Sequence, residues 1–116
     1  MKIAVYGASE YTGRLVAAEL RRRGFDIVLS GRSAERLRQA AASLGLTGTN
    51  VRAADAADPD ALAAAFEGCA AVINCAGPFT AFGHTVVRAA IAAGCHYVDT
   101  SAEQEFVQSL FETFGE

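Results

Sequence analysis

The chain has 116 residues, 52% of them hydrophobic, and a net charge of -3. That suffices for one domain with a single core and excludes a disordered chain. The mild acidity gives no global attraction to nucleic acid or to anionic lipid, and no apolar run approaches the ~18 residues of a membrane span.

Strand-like and helix-like segments alternate along the chain. Residues 3–6 read as the first strand, led into directly by Met1-Lys2 with no apolar signal segment. Residues 12–23 follow as a helix, with Leu15, Val16, Glu19 and Leu20 forming a partly apolar face and Gly24 a stop. Its Arg21-Arg22-Arg23 run reads as the solvated end of that helix, favoured by the dipole. Residues 27–30 form a second strand. Ser33 caps a second helix running to about Leu44, and residues 51–54 form a third, weaker strand. Asp58-Pro59 is a strong helix start, an aspartate cap followed by proline at the first helical position, and this helix stops at Gly68. Residues 71–74 are the fourth strand, 86–93 a further helix, and Tyr97-Val98 part of a fifth strand.

Buried parallel strands read as short apolar runs, and these do. Strand–helix alternation with short links predicts right-handed crossovers in an α/β, doubly wound parallel sheet of order 3-2-1-4-5. The ligand crevice of such a sheet lies at the carboxyl ends of strands one and four. Beyond the fifth strand, Phe106, Val107, Leu110, Phe111 and Phe114 sit at helical spacing. Packing on its own sheet is the favoured reading of that segment; pairing into a homodimer is the alternative. Cys69, Cys75 and Cys95 match neither a zinc pattern nor Cys-x-x-Cys. They read as small core residues in a reducing compartment, so a cytoplasmic protein with no metal site is expected.

The stretch Gly7-Ala8-Ser9-Glu10-Tyr11-Thr12-Gly13 lies between the first strand and the first helix, where a dinucleotide-binding unit places its glycine-rich turn. Gly7 permits the tight turn, and Gly13 lets the helix approach the sheet. The N–H groups of Ser9, Tyr11 and Thr12 head a helix whose dipole favours an anion. The middle position departs from the pattern, because Glu10 replaces glycine. Its carboxylate either swings toward solvent or opposes a pyrophosphate by bulk and charge.

Ser30-Gly31-Arg32-Ser33 ends the second strand, about 20 residues beyond the turn, where an NAD site carries an acidic residue. Here Arg32 offers a planar cation that forks onto a 2′-phosphate, and Ser33 adds a hydroxyl, so the expected cofactor is NADP(H). Asp55 follows the third strand as an acceptor for the adenine amino group, or as a loop aspartate. Cys75, Ala76, Gly77 and Pro78 end the fourth strand at the switch point, where small residues let a flat ring lie against the backbone. His84 and His96 are weighed as acid/base groups against surface or capping roles. Asp99, Thr100, Ser101 and Glu103 are the better substrate-side candidates, though turn formation and capping explain them equally well.

Together, residues 7–13 with their Tyr-Thr-Gly ending, Gly31-Arg32-Ser33, 74–79 and 96–103 resemble the amino-terminal NADP-binding domain of the saccharopine dehydrogenase-like family. That family includes saccharopine reductases and trans-acting enoyl reductases. The resemblance spans nearly the whole chain. It implies a Rossmann-like domain over 1–116 and NADP(H)-linked oxidoreductase chemistry on a small molecule, with substrate held mainly by a carboxyl-terminal domain outside this chain. Ala102 stands where the family's pattern expects glycine. Two rival readings are a non-catalytic nucleotide sensor and an assembly domain in which Glu10 has ended cofactor binding.

Overall fold

A computed structural model describes residues 1–46, 50–76 and 83–99. Nine elements alternate along it: β1 (Lys2–Tyr6), α1 (Tyr11–Arg22), β2 (Asp26–Gly31), α2 (Ala34–Ser43), β3 (Val51–Ala53), α3 (Pro59–Phe66), β4 (Ala71–Asn74), α4 (Gly83–Ala92) and β5 (His96–Asp99). The strands form one parallel sheet in the order β3-β2-β1-β4-β5 expected from the alternation. Gly77, Pro78 and the phenylalanine-rich segment 106–114 lie outside the described residues.

Side-chain alternation along each strand builds two cores. Ile3, Val5, Ile27, Leu29 and Ile73 point to one face and meet Val16, Ala17 and Leu20 of α1 and Leu37, Ala40 and Ala41 of α2. Ala4, Tyr6, Val28 and Val72 point to the other face and meet Leu62, Ala65 and Phe66 of α3 and Val86, Ala89 and Ala90 of α4. With both faces covered, the central strands β1, β2 and β4 are buried along most of their length, which is why their apolar residues read as runs rather than alternations.

The local stops and starts follow the sequence. The Ser33 hydroxyl accepts from Arg36 N–H at 3.3 Å, and Asp58 Oδ1 accepts from Ala61 N–H at 3.2 Å, each closing an N-terminus. Pro59 opens α3. The Arg21–Arg23 run does end a helix, with Arg22 and Arg23 both engaging Glu19; Arg23 Nε lies 2.7 Å from its carboxylate. Boundaries move by small amounts. α1 begins at Tyr11 rather than residue 12, β2 extends to Asp26 and Gly31, and α4 begins at Gly83 rather than Val86. β3 stops at Ala53, but Ala54 still donates its N–H to the Gly31 carbonyl at 2.8 Å.

Candidate functional site

The carboxyl end of β1 is fastened on both sides. Ser30 and Asn74 stand level with Tyr6 on β2 and β4. Gly7 and Ala8 donate their N–H groups to the Ser30 carbonyl, at 2.8 and 3.1 Å, and Cys75 N–H donates to the Tyr6 carbonyl at 2.7 Å. These bonds turn the chain sharply out of β1 and place the 7–13 loop at the point where the strand order reverses.

The two outer glycines of that loop are fixed by contact. Gly7 has φ +83, and a Cβ there would lie 2.6 Å from Ala76 N. A Cβ on Gly13 would lie 2.2 Å from the Gly7 carbonyl oxygen and 2.8 Å from Ala8 Cα. Helix α1 therefore starts with its backbone seated directly on the turn. The N–H groups of Tyr11, Thr12 and Gly13 precede the first bonded donor, Arg14 N–H to Glu10 O at 2.9 Å. They form an anion cradle at the positive end of the dipole.

The Glu10 backbone fits this turn without strain. Its φ of −79 and ψ of 163 are ordinary extended values, so the position has no backbone need for glycine. Its side chain is exposed and caps nothing. Of the two outcomes read from the sequence, the solvent-facing one is observed.

A second group of residues gathers beside the turn, at the ends of β2 and β3. The Tyr6 hydroxyl donates to the Ala54 carbonyl at 2.8 Å and is buried against Phe66, edge to face. Burial chiefly pushes the Tyr6 phenol up to about 12; the Asp55 carboxylate adds to this and the Arg32 guanidinium opposes it. Asp55 and Arg32 therefore both stand within electrostatic reach of the same buried hydroxyl. Arg32 is exposed. Asp55 is also exposed, and its Oδ1 accepts from Ala57 N–H at 2.9 Å, an Asx turn that fixes the carboxylate.

The third group ends β4. Asn74 is buried, its Oδ1 accepting from Ala76 N–H at 3.1 Å and its Nδ2 donating to the Tyr97 hydroxyl at 3.0 Å. This pins the start of the 75–78 stretch against Gly7.

A family profile described as the saccharopine dehydrogenase NADP binding domain matches residues 3–114. The chain belongs to that family. Over 116 aligned residues it is 34% identical to a trans-acting enoyl reductase of Mycobacterium tuberculosis, an alignment covering 97% of this chain and 28% of the relative. The chain thus spans little more than a quarter of the curated relatives it matches. Among solved structures, an NADPH-dependent quinone oxidoreductase of Escherichia coli complexed with NADPH superposes with a TM-score of 0.70 at 25% identity, over 96% of this chain and 44% of that one. Apo saccharopine dehydrogenase (L-Glu forming) of Saccharomyces cerevisiae shares the fold with a TM-score of 0.70 at 22% identity, over 94% of this chain and 23% of that one.

The cofactor of this NADP-binding domain is NADP(H), and the residues present fit it. The glycine-lined cradle leaves no room for a Cβ at either outer position. Its bare N–H groups suit a pyrophosphate, and no acidic residue ends β2 where a ribose 2′-hydroxyl would need one. Ser9, Tyr11, Thr12 and Gly13 lie in the turn and the start of α1, while Gly31, Arg32, Ser33 and Asp55 lie at the neighbouring strand ends. Ala76 lies against Gly7. Two of the residues read as site members act from beneath: the Ser30 hydroxyl turns into the sheet and donates to Arg52 O at 2.7 Å, and Cys75 is buried.

The structure separates two candidates along β5, His96, weighed as an acid/base group, and Asp99, weighed as a substrate-side residue. His96 pairs with Ala71, the first residue of β4, so it stands at the amino edge of the sheet, away from the crevice. Asp99 pairs with Asn74 and stands at the carboxyl edge, beside the crevice. The other β5 candidates, Thr100, Ser101 and Glu103, lie outside the described residues. Tyr6 is a contributor that sequence reading passed over, and Asn74 was read at the switch point without the bonding role it takes here. Each ends an apolar strand, and the one available signal was a polar group at the last position of a buried run.

Proposed function

We propose that this chain is the NADP(H)-holding part of a reductase, and that most contacts to a small-molecule substrate come from outside its 116 residues. The observation that carries this reading is the Gly7–Gly13 contact geometry, which builds a pyrophosphate cradle at the switch point. The enoyl reductase relatives, and the fraction of their length that this chain spans, support the rest.

In this reading the N–H groups of Ser9, Tyr11, Thr12 and Gly13 hold the pyrophosphate. Arg32 forks onto the 2′-phosphate with help from the Ser33 hydroxyl. The Asp55 carboxylate, already oriented by its Asx turn, accepts from the adenine amino group. Ser30, Tyr6 and Asn74 hold these pieces in register. Cys75, Ala76, Gly77 and Pro78 offer a flat backbone surface to the nicotinamide. NADPH, when bound, supplies the hydride; the protein supplies position and charge.

The proposal includes a cytoplasmic location, in keeping with cysteines that are small buried core residues, Cys69, Cys75 and Cys95. Among the described residues no helix is long and apolar enough to cross a membrane. A homodimer is weighed on the apolar spacing of 106–114 alone, and sedimentation equilibrium decides it. The residue assignments are tested by adding NADP+ to isotope-labelled protein and following backbone amide resonances. Shifts concentrated at Ser9–Gly13, Arg32–Ser33 and Asp55–Ala57 are expected. Shifts confined to the amino edge of the sheet, around His96 and Cys69, would refute them.

A further inference from the structure

Arg14 has no role in the assignments above, yet the structure ties it to the phosphate turn. It is exposed, and its Nε donates to the Ser9 carbonyl at 3.1 Å. Helical side chains lean toward the helix N-terminus, and this bond draws the Arg14 side chain back over the turn it follows.

The other well-placed arginines are occupied differently. Arg22 and Arg23 engage Glu19. Arg52 Nη1 donates to the carbonyls of Ala65, at 3.1 Å, and Glu67, at 2.8 Å, closing the end of α3. Among the described residues, Arg14 forms no ion pair. Its Nε bonds the turn, and its two terminal amino groups carry further donors in the same plane.

We propose that Arg14 is a pyrophosphate ligand. Its Nη groups fork onto the phosphate held by the α1 N–H groups, with the Nε–Ser9 bond fixing the plane of the fork. This also accounts for the tolerance of Glu10, since the added carboxylate is matched by a cation one helical turn away. The inference rests on residues 7–13 being the pyrophosphate site. It concerns the part of the cofactor common to NADPH and NADH, whereas Arg32 addresses the 2′-phosphate.

The test is calorimetric binding of NADPH, NADH and 2′-AMP to the 116-residue chain and to its Arg14→Ala and Arg14→Lys variants, at low and high salt. Arg14→Ala is expected to weaken NADPH and NADH by the same factor, roughly three- to tenfold, the lower end reflecting the exposed position. It leaves 2′-AMP, which has no pyrophosphate, unchanged. Arg14→Lys restores part of the loss, and the Ala variant shows a weaker dependence on ionic strength than the parent. A purely structural splint would leave that salt dependence intact. Unchanged NADPH and NADH affinity in Arg14→Ala, or an equal loss for 2′-AMP, overturns the proposal while the cofactor site stands. Absence of NADPH binding by the parent chain overturns the site assignment itself, and this inference with it.

Discussion

The closest contact in the phosphate turn yields the sharpest prediction. An alanine at Gly13 would set its methyl 2.2 Å from the Gly7 carbonyl oxygen and 2.8 Å from Ala8 Cα. Both obstacles are backbone, so no side chain can rotate away and the turn must move by about an ångström. Overpacking of this kind costs about 1–3 kcal/mol. The moving segment also carries the Gly7 and Ala8 N–H bonds to Ser30, each contributing about 0.5–1.5 kcal/mol. Alanine's helix preference over glycine returns at most about 1 kcal/mol. The sum is a loss of about 1–6 kcal/mol, visible in urea as a lowered midpoint. NADPH affinity falls with it, because the displaced backbone is the cradle. Gly31→Ala is the control. The nearest atom to its methyl would be Leu37 Cδ2 at 3.5 Å, an ordinary contact, and stability stays within about 1 kcal/mol of the parent. A Gly13→Ala protein with the parent's urea midpoint and NADPH affinity would refute the contact argument.

Three further outcomes are expected. Arg32→Ala weakens NADPH by about 10–100-fold, the loss of charge-assisted bonds to the 2′-phosphate, while NADH binding is nearly unchanged; parallel titrations check this, and equal losses would remove the role. Glu10→Gln tightens NADPH by less than about fivefold, and half-molar salt abolishes the difference, since the carboxylate is solvent-facing; a larger, salt-resistant gain would mean that the side chain turns inward. Tyr6→Phe leaves the Ala54 carbonyl without its donor and lowers stability at neutral pH by about 1–2 kcal/mol. In the parent the folded phenol stands at about 12, above its ordinary 10.0. The stability this shift carries is present in full below pH 10.0 and drains away as pH climbs through about 12. Denaturation across that alkaline range should show a smaller decline in Tyr6→Phe than in the parent, the remainder coming from Cys69 and Cys95, whose thiols burial also pushes up.

The fold was legible because its signals are local and agree with one another. Apolar runs of strand length, Ser33 and Asp58 at helix starts, and glycines past helix ends all point to the same alternation, which admits few parallel topologies. The cradle was legible too, since Gly7 and Gly13 stand at the expected spacing, although only Gly13 meets its obstacle inside the turn and Gly7 meets Ala76, beyond β4. What the sequence concealed depends on direction rather than identity. Glu10 threatened the cofactor site on paper, but its effect turned on where the side chain points. Ser30 and Cys75 were read as site members, and burial of both side chains could not be read from their identity. Arg14 belongs to no part of the glycine pattern, and its tie to the turn rests on the Nε bond to the Ser9 carbonyl. His96 required the strand register, which puts it at the amino edge, opposite the crevice.

The most direct test of the cofactor assignment is a calorimetric titration of the folded chain with NADPH and, separately, with NADH. Saturable binding of both, tighter for NADPH, is the expected result, the difference measuring the Arg32 contact to the 2′-phosphate. No binding of either nucleotide by folded protein, or a preference for NADH, would contradict it.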